Sequence, residues 1–440
     1  MRAPPAPAGA APAPNPAHKE PMRTILSLLA LCVIVCAFFL LRPGDRLAEQ
    51  PGAQPGEASV SIPGSIPVSV PGSTPDSTPG SMPGDQRGLA SSDAVPLEIM
   101  AGQMVLAGFR GTGDEASEEL DALCDDIAAG RLGGVIYFTV DAVTREPGRN
   151  IVSLEQAARL SAALQSKAPV PLFVGVDQEG GRVRRFTEEH GVPATPSARV
   201  LGWGDPEVTY AEAESLGALL ARAGVNLNFA PSLDVDSNPD SPAIGALGRS
   251  FSADPAEVAA HGLAFARGMH KTGIIACYKH FPGHGSAAHD THLGLVDITA
   301  TWSEAELAPY REALPQSPPA MVMLGHMAHK DITGDLPASL SPAVVNMLRA
   351  DLGWEGVIIT DDMQMRAIED AHSPEEAVRL AVEAGVDIVL LGNNLRHDAL
   401  TARKTHAVLV ELVTSGRVPE ARIRASYERI MRLKREAGLL

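Results

Sequence analysis

From about Val95 to Leu440 the chain alternates short apolar runs with longer stretches of helical period. The short runs are Gln103–Phe109, Gly134–Phe138, Leu172–Asp177, Leu227–Val235, Ile274–Lys279, Met321–His326, Val357–Asp361 and Asp387–Gly392. Near-continuous apolar runs of this length read as strands buried on both faces. Their alternation with helices predicts a parallel sheet covered on each side. Eight such units in about 345 residues predict an α/β fold, a single (β/α)8 TIM-type barrel with inserted loops. Several runs end in polar residues: Asp177-Gln178-Glu179, Asp234, Lys279-His280, His326, Asp361-Asp362 and Asn393-Asn394. In a parallel barrel those ends meet on one rim, which is where barrel enzymes keep their chemistry.

Upstream the pattern is different. Residues 1–23 are rich in Ala and Pro, with Arg2, Lys19 and Arg23 against a single acid, Glu20. A 17-residue apolar run, Ile25 to Leu41, follows and is closed by Arg42 and Pro43. That length is at the lower limit for crossing a bilayer and long for the core of a cleaved signal. No small-x-small cleavage site follows closely, and neither Cys32 nor Cys36 is preceded by a small residue. The segment 24–42 is therefore expected to be an uncleaved transmembrane signal anchor, with the basic tail on the cytoplasmic side. Everything beyond it would be exported, periplasmic or extracellular. The alternative is secretion after signal cleavage. Residues 43–94 form a Pro/Gly/Ser-rich linker that repeats with a period of eight at Pro63-Gly64-Ser65, Pro71-Gly72-Ser73 and Pro79-Gly80-Ser81. Such a composition buries too little apolar surface to fold. It reads as a disordered stalk with a reach of roughly 40 to 150 Å. The domain proper is then 95–440.

Charge narrows the partners. The chain carries 53 acidic and 36 basic side chains, a net charge of −17. A nucleic-acid partner would need a basic face, so none is expected. Four cysteines are too few for a disulfide scaffold, and Cys124 and Cys277 read as reduced thiols in a helix and a strand.

The densest chemistry lies in Lys279-His280-Phe281-Pro282-Gly283-His284-Gly285, followed by His289, Asp290, Thr291 and His292. Glycine and proline exclude regular structure there and call for a shaped loop after the fifth strand. The Asp290-x-His292 spacing lets a carboxylate orient an imidazole and offset its charge, making it a usable proton donor and acceptor near neutral pH. Asp361 and Asp362 follow four apolar residues, and successive strand side chains point to opposite faces. One aspartate can face the barrel axis while its neighbour caps the structure outside. Asp177 to Arg185 combines carboxylates, paired glycines and arginines. That mixture suits a hydroxyl-rich ligand and equally a salt-bridged loop bracing the rim. Lys279 and His280 read as ligand-binding at the rim. Arg249, in a long loop after the fourth strand, reads on its own as a surface arginine. The histidines His280, His284, His289, His292, His326 and His329 invite a metal reading. No strand-borne His-x-His pair accompanies them, no cysteine joins them, and no metal or other cofactor is expected.

Taken together, Asp177-Gln178-Glu179-Gly180-Gly181-Arg182, Lys279 to Gly285 with Asp290-Thr291-His292, and Ile359-Thr360-Asp361-Asp362-Met363 resemble glycoside hydrolase family 3, in particular its NagZ-type β-N-acetylglucosaminidases. The resemblance spans 97–440 with the three motifs in order. It implies retaining, metal-free removal of terminal β-linked N-acetylglucosamine from aminosugar glycans or muropeptides. By this resemblance Asp361 matches the nucleophile, His292 the acid/base and Asp290 its dyad partner. Asp177, Arg185, Arg249, Lys279 and His280 match positions that bind the sugar. Ser286-Ala287 stand where such enzymes often have Asp-Thr, Thr291 stands where serine is usual, and the anchor and stalk depart from the cytoplasmic members. A phosphorylase using the same site with phosphate as acceptor is the alternative. The protein is expected to act as a monomer.

Overall fold

Eight parallel strands build the core: β1 Val105–Gly108, β2 Gly134–Ile136, β3 Phe173–Val176, β4 Leu227–Asn228, β5 Ile275–Phe281, β6 Ala320–Leu324, β7 Val357–Thr360 and β8 Val389–Leu391. The computed structural model describes Arg2 and residues 95–440. Each strand from β1 to β6 pairs in parallel with the next, and β8 pairs with β1. A parallel bridge between Ile359 and Ile388, together with Thr360 N donating to Ile388 O at 3.1 Å, brings β7 to β8 and completes the ring. The anticipated TIM-type barrel is thus observed, and each expected run supplies one strand. Among the described residues no helix is long and apolar enough to cross a membrane. Apart from Arg2, the tail, the anchor at 24–42 and the linker at 43–94 lie outside the described residues.

The strands form where they do because every residue of β1, β5 and β7 is buried, so apolar side chains are needed on both faces. The helices start at recognisable signals. Asp205, Asp254 and Ser373 cap the helices Pro206–Arg222, Pro255–Lys271 and Pro374–Ala384, each with proline in its first turn. The run Leu227–Val235 is the main departure from expectation, since only Leu227–Asn228 is strand. Pro231 has no N–H to contribute to a ladder. The chain nevertheless stays beside β5: Cys277 N donates to Ala230 O at 2.9 Å and Leu233 N to Lys279 O at 2.6 Å. At the opposite end of the barrel, the ammonium of Lys434 is fully buried. It donates to Gln103 Oε1 at 2.7 Å and to the carbonyls of Pro171 and Gly133 at 2.6 and 3.3 Å, tying the last helix to the starts of three strands.

Two loops at the carboxyl rim organise the site. The segment after β5 and the segment after β6 meet in a parallel ribbon, Val296–Asp297 against Met327–Ala328. Under it lies a small separate core of Ala287, Val296, Ile298 and Met327, flanked by Trp302. The single turn Thr291–Leu293 packs against the short helix Arg366–Glu369, which follows β7. The long loop from β5 therefore reaches across the rim to the end of β7.

Candidate active site

Asp361 is the first residue after β7, and its amide donates to Leu324 O at 2.9 Å. Its Oδ1 accepts from the amide of Asp362 at 2.7 Å. Burial pushes the Asp361 carboxyl up, but His326, His280 and His292 around it pull it down further, and the net result lies below the usual aspartate value. It is an ionised carboxylate at neutral pH. Asp362 faces away, as strand alternation requires. It accepts from the amides of Gly392 at 2.8 Å and Gln364 at 3.1 Å, and burial raises it to about 6. One aspartate thus faces the site and its neighbour fastens the loop after β8.

Asp290 caps the turn Thr291–Leu293. Its Oδ1 accepts from the His292 amide at 2.9 Å and lies 2.8 Å from His292 Nδ1. The side chain of His292 is 57% exposed, which leaves its other face open to an incoming group. Partial desolvation lowers the imidazole pKa, but the hydrogen bond and charge of Asp290, with the charge of Asp361, more than offset this, and the net shift is upward. The packing of the turn Thr291–Leu293 on the helix Arg366–Glu369, which follows β7, brings His292 to the same rim as Asp361.

The rim next to them is a continuous ionic chain. Lys279 donates to Asp177 at 2.9 Å and to Glu179 at 2.8 Å, and Arg185 reaches the other Asp177 oxygen at 3.2 Å. Arg249 clasps Glu179 with two bonds of 2.7 and 2.9 Å. The side chain of Arg249 is only 13% exposed, so the surface reading of this residue is corrected: Glu179 and the loop carbonyl of Ala243 draw it inward. Arg249 Nη2 lies 3.2 Å from His280 Nε2, and His280 Nδ1 lies 2.7 Å from Asp234 Oδ2. Guanidinium only donates, so Nε2 must accept and Nδ1 carries the proton. Both nitrogens of His280 are therefore engaged by protein. All eight residues singled out from the sequence come together on this rim.

The sequence pattern did not assign roles to several others. Asp234, fully buried, accepts from the His280 amide, the His284 amide and the Ser232 hydroxyl as well as from the His280 ring. Burial alone would raise it, but His280, His284 and these bonds hold it well below the usual range. It ends the fourth apolar run, which was its only signal. Glu179 stood in a motif but had no role. Glu306 gave no signal, since it lies about twenty residues from the loop amides of Gly285 and Ser286 that it accepts from.

Two further histidines of this region have protein partners. His284 is buried, 3.3 Å from the Thr291 hydroxyl, and desolvation brings it down to about 4. His326 meets the Ser339 hydroxyl at 2.7 Å and the Asp362 carbonyl at 2.9 Å. Among the described residues no group of three or more His, Cys, Asp or Glu side chains is placed to hold a metal ion. What remains is an ionised carboxylate, an oriented imidazole with an open face, and a floor of fixed charges.

The profile of the glycosyl hydrolase family 3 N-terminal domain matches residues 97–433. The chain is 36% identical over 329 residues to a beta-hexosaminidase of Xylella fastidiosa, covering 71% of this chain and 92% of that one. It is 32% identical over 379 residues to beta-hexosaminidase A of Pseudoalteromonas piscicida, covering 78% of this chain and 62% of the relative. Among solved structures, a glycoside hydrolase family 3 beta-N-acetylglucosaminidase from Paenibacillus sp. str. FPU-7 superposes with a TM-score of 0.70 at 37% identity, covering 79% of this chain and 63% of that one. The chain thus spans somewhat less than two thirds of the last two proteins' length.

Proposed function

Because the chain belongs to glycosyl hydrolase family 3, we propose that it is a retaining exo-β-N-acetylglucosaminidase. The observation that carries this reading is the pairing of an ionised Asp361 with a His292 that Asp290 orients from behind. Retaining hydrolysis needs a carboxylate at the anomeric carbon and a proton donor at the leaving oxygen. In the first step an Asp361 oxygen attacks the anomeric carbon. Protonated His292 gives its outer proton to the departing oxygen as the glycosidic bond breaks, which leaves a glycosyl ester and a neutral imidazole. In the second step His292 takes a proton from water while that water attacks the anomeric carbon. The ester bond breaks, Asp361 is released as carboxylate, and the sugar leaves with its original anomeric configuration.

Asp290 serves both steps by fixing the Nδ1 proton and offsetting the imidazolium charge, the logic of a hydrolytic triad. The upward shift of His292 favours the protonated form that the first step needs. Asp177, Arg185, Lys279 and Arg249 are proposed to hold the sugar hydroxyls and acetamido group. His280, with both nitrogens taken, supports Arg249 from beneath. The substrates proposed are peptidoglycan fragments. We further propose that residues 24–42 anchor the domain to a membrane, with 43–94 as its stalk on the exported side. A histidine that is neutral in the second step would also admit an anionic acceptor, because it does not repel one as a carboxylate would.

The test is release of N-acetylglucosamine from an aryl β-N-acetylglucosaminide by the purified chain. The matching β-glucoside is assayed beside it, each with and without chelator and phosphate. Chelator-insensitive release from the aminosugar alone supports the proposal. Phosphate-dependent formation of sugar 1-phosphate would replace it with the phosphorylase reading. Loss of activity in chelator would replace it with a metal-dependent one.

A further inference from the structure

Beneath the loop that carries the dyad lies a carboxyl that the proposed mechanism does not use. Glu306 is fully buried in the one-turn segment Glu304–Leu307. Its two oxygens are divided between consecutive loop amides: Gly285 N donates to Oε2 at 3.0 Å and Ser286 N donates to Oε1 at 3.1 Å. Between them and β5 the chain is pressed onto the same carboxyl. Gly283 has φ +122°, and a Cβ there would come within 2.5 Å of Glu306 Oε2. From the other side, the His284 amide donates to Asp234 Oδ1 at 2.7 Å, and a Cβ on Gly285 would come within 1.7 Å of Val235 O. Residues 283–286 are therefore clamped between Glu306 and the Asp234 segment, with only 287–289 separating the clamp from Asp290.

The surroundings make this an unusual carboxyl. Asp234 faces it from the loop after β4, and the phenol of Tyr310 from the helix Ala308–Ala313. Burial pushes Glu306 up to about 7; Asp234 pushes the same way, and the Ser286 hydroxyl and the two amides oppose it. Despite that burial, both oxygens are spent on the loop, one on each of two consecutive amides.

We propose that Glu306 is a positioning residue for the acid/base, clamping the loop so that Asp290 and His292 are presented across the rim to Asp361. The inference rests on the reading of His292 as acid/base. Only a carboxylate offers two acceptor oxygens to two parallel amides. Glutamine offers one, and its NH2 would face an N–H.

The experiment compares wild type, Glu306→Gln, Glu306→Asp and His292→Ala on aryl N-acetylglucosaminides of graded leaving-group acidity, with and without azide. Circular dichroism confirms that each variant is folded. In Glu306→Gln, kcat/KM on the poorest leaving group should fall about 10- to 100-fold, the cost of a misplaced catalytic group, while the most activated glycoside changes little. On the activated glycoside kcat and KM should fall together, and azide should restore kcat. Azide needs no base when it displaces Asp361 from the glycosyl ester. Glu306→Asp, shorter by one methylene, should show the same pattern in weaker form and serves if the glutamine variant does not fold. A steep response of His292→Ala with a uniform loss, or none, in both Glu306 variants would overturn this inference alone. A flat response of His292→Ala would overturn the acid/base reading, and this inference with it.

Discussion

Replacing Asp290 with asparagine isolates the charge of the dyad from its geometry. Asparagine keeps an oxygen that can cap Thr291–Leu293 and accept from the His292 amide, now 2.9 Å from Asp290 Oδ1. What is lost is the negative charge on the atom 2.8 Å from His292 Nδ1. A hydrogen bond to a charged group contributes about 1.5–3 kcal/mol. The imidazole is 57% exposed, so solvent screening reduces this to about 1–1.5 kcal/mol. That corresponds to about 5- to 13-fold in rate. The loss should appear in kcat/KM on a disaccharide of N-acetylglucosamine, where protonation of the leaving oxygen matters. It should shrink on an aryl glycoside whose leaving group needs no proton. The pH profile gives a second reading. Asp290 raises the pKa of His292, and the first step needs the protonated ring. Without Asp290 the ring loses its proton at lower pH, so the alkaline limb of kcat/KM moves toward acid. Equal losses on both substrates with an unmoved alkaline limb would refute the dyad, and would leave Asp290 as a turn cap only.

Other consequences can be checked separately. His292→Ala should cost more on natural sugars than on activated aryl glycosides, read as kcat/KM, and equal losses would argue against an acid role. Glu179→Gln removes the shared partner of Lys279 and Arg249. It should destabilise the fold by about 3 kcal/mol in denaturant melts, the cost of breaking a buried ion pair, and raise KM; an unchanged melt would mean that the cations find other partners. Burial raises Glu179, but Arg249 and Lys279 bring its folded value down to about 2. Its stabilising contribution is therefore present above about pH 4.3 and is lost as pH falls toward 2, and the glutamine variant should lose that acid dependence. Burial lowers Lys434 to about 7 in the folded chain, against about 10.4 unfolded. The unfolded chain holds the extra proton between those values, so stability should rise with pH across that window, and Lys434→Met should flatten the rise.

The hydrophobic pattern carried the barrel because each strand is buried on both faces, which leaves no polar alternation to blur it. It failed at Leu227–Val235, where seven further residues are as buried as a strand, yet Pro231 interrupts the ladder and only an isolated bridge from Ser232 to Lys279 continues it. The dyad was legible because Asp290 and His292 are near neighbours. The pair Asp361-Asp362 stood out because two carboxylates at a strand end are costly without a purpose, but only the family resemblance singled out Asp361. Contacts between distant segments were not. Arg249 looked like a surface residue because nothing in its own loop reveals Glu179, seventy positions earlier. Asp234 and Glu306 hold the loop from beneath through backbone amides, and amides carry no sequence signature.

A covalent glycosyl intermediate on Asp361 can be trapped. The chain would be incubated with a fluorinated N-acetylglucosaminyl fluoride, whose glycosyl-enzyme turns over slowly, then digested and mapped by mass spectrometry. One added glycosyl group per chain is expected on the peptide containing Asp361, and none in Asp361→Asn. A label on another carboxylate, or turnover in Asp361→Asn equal to that of wild type, would contradict it.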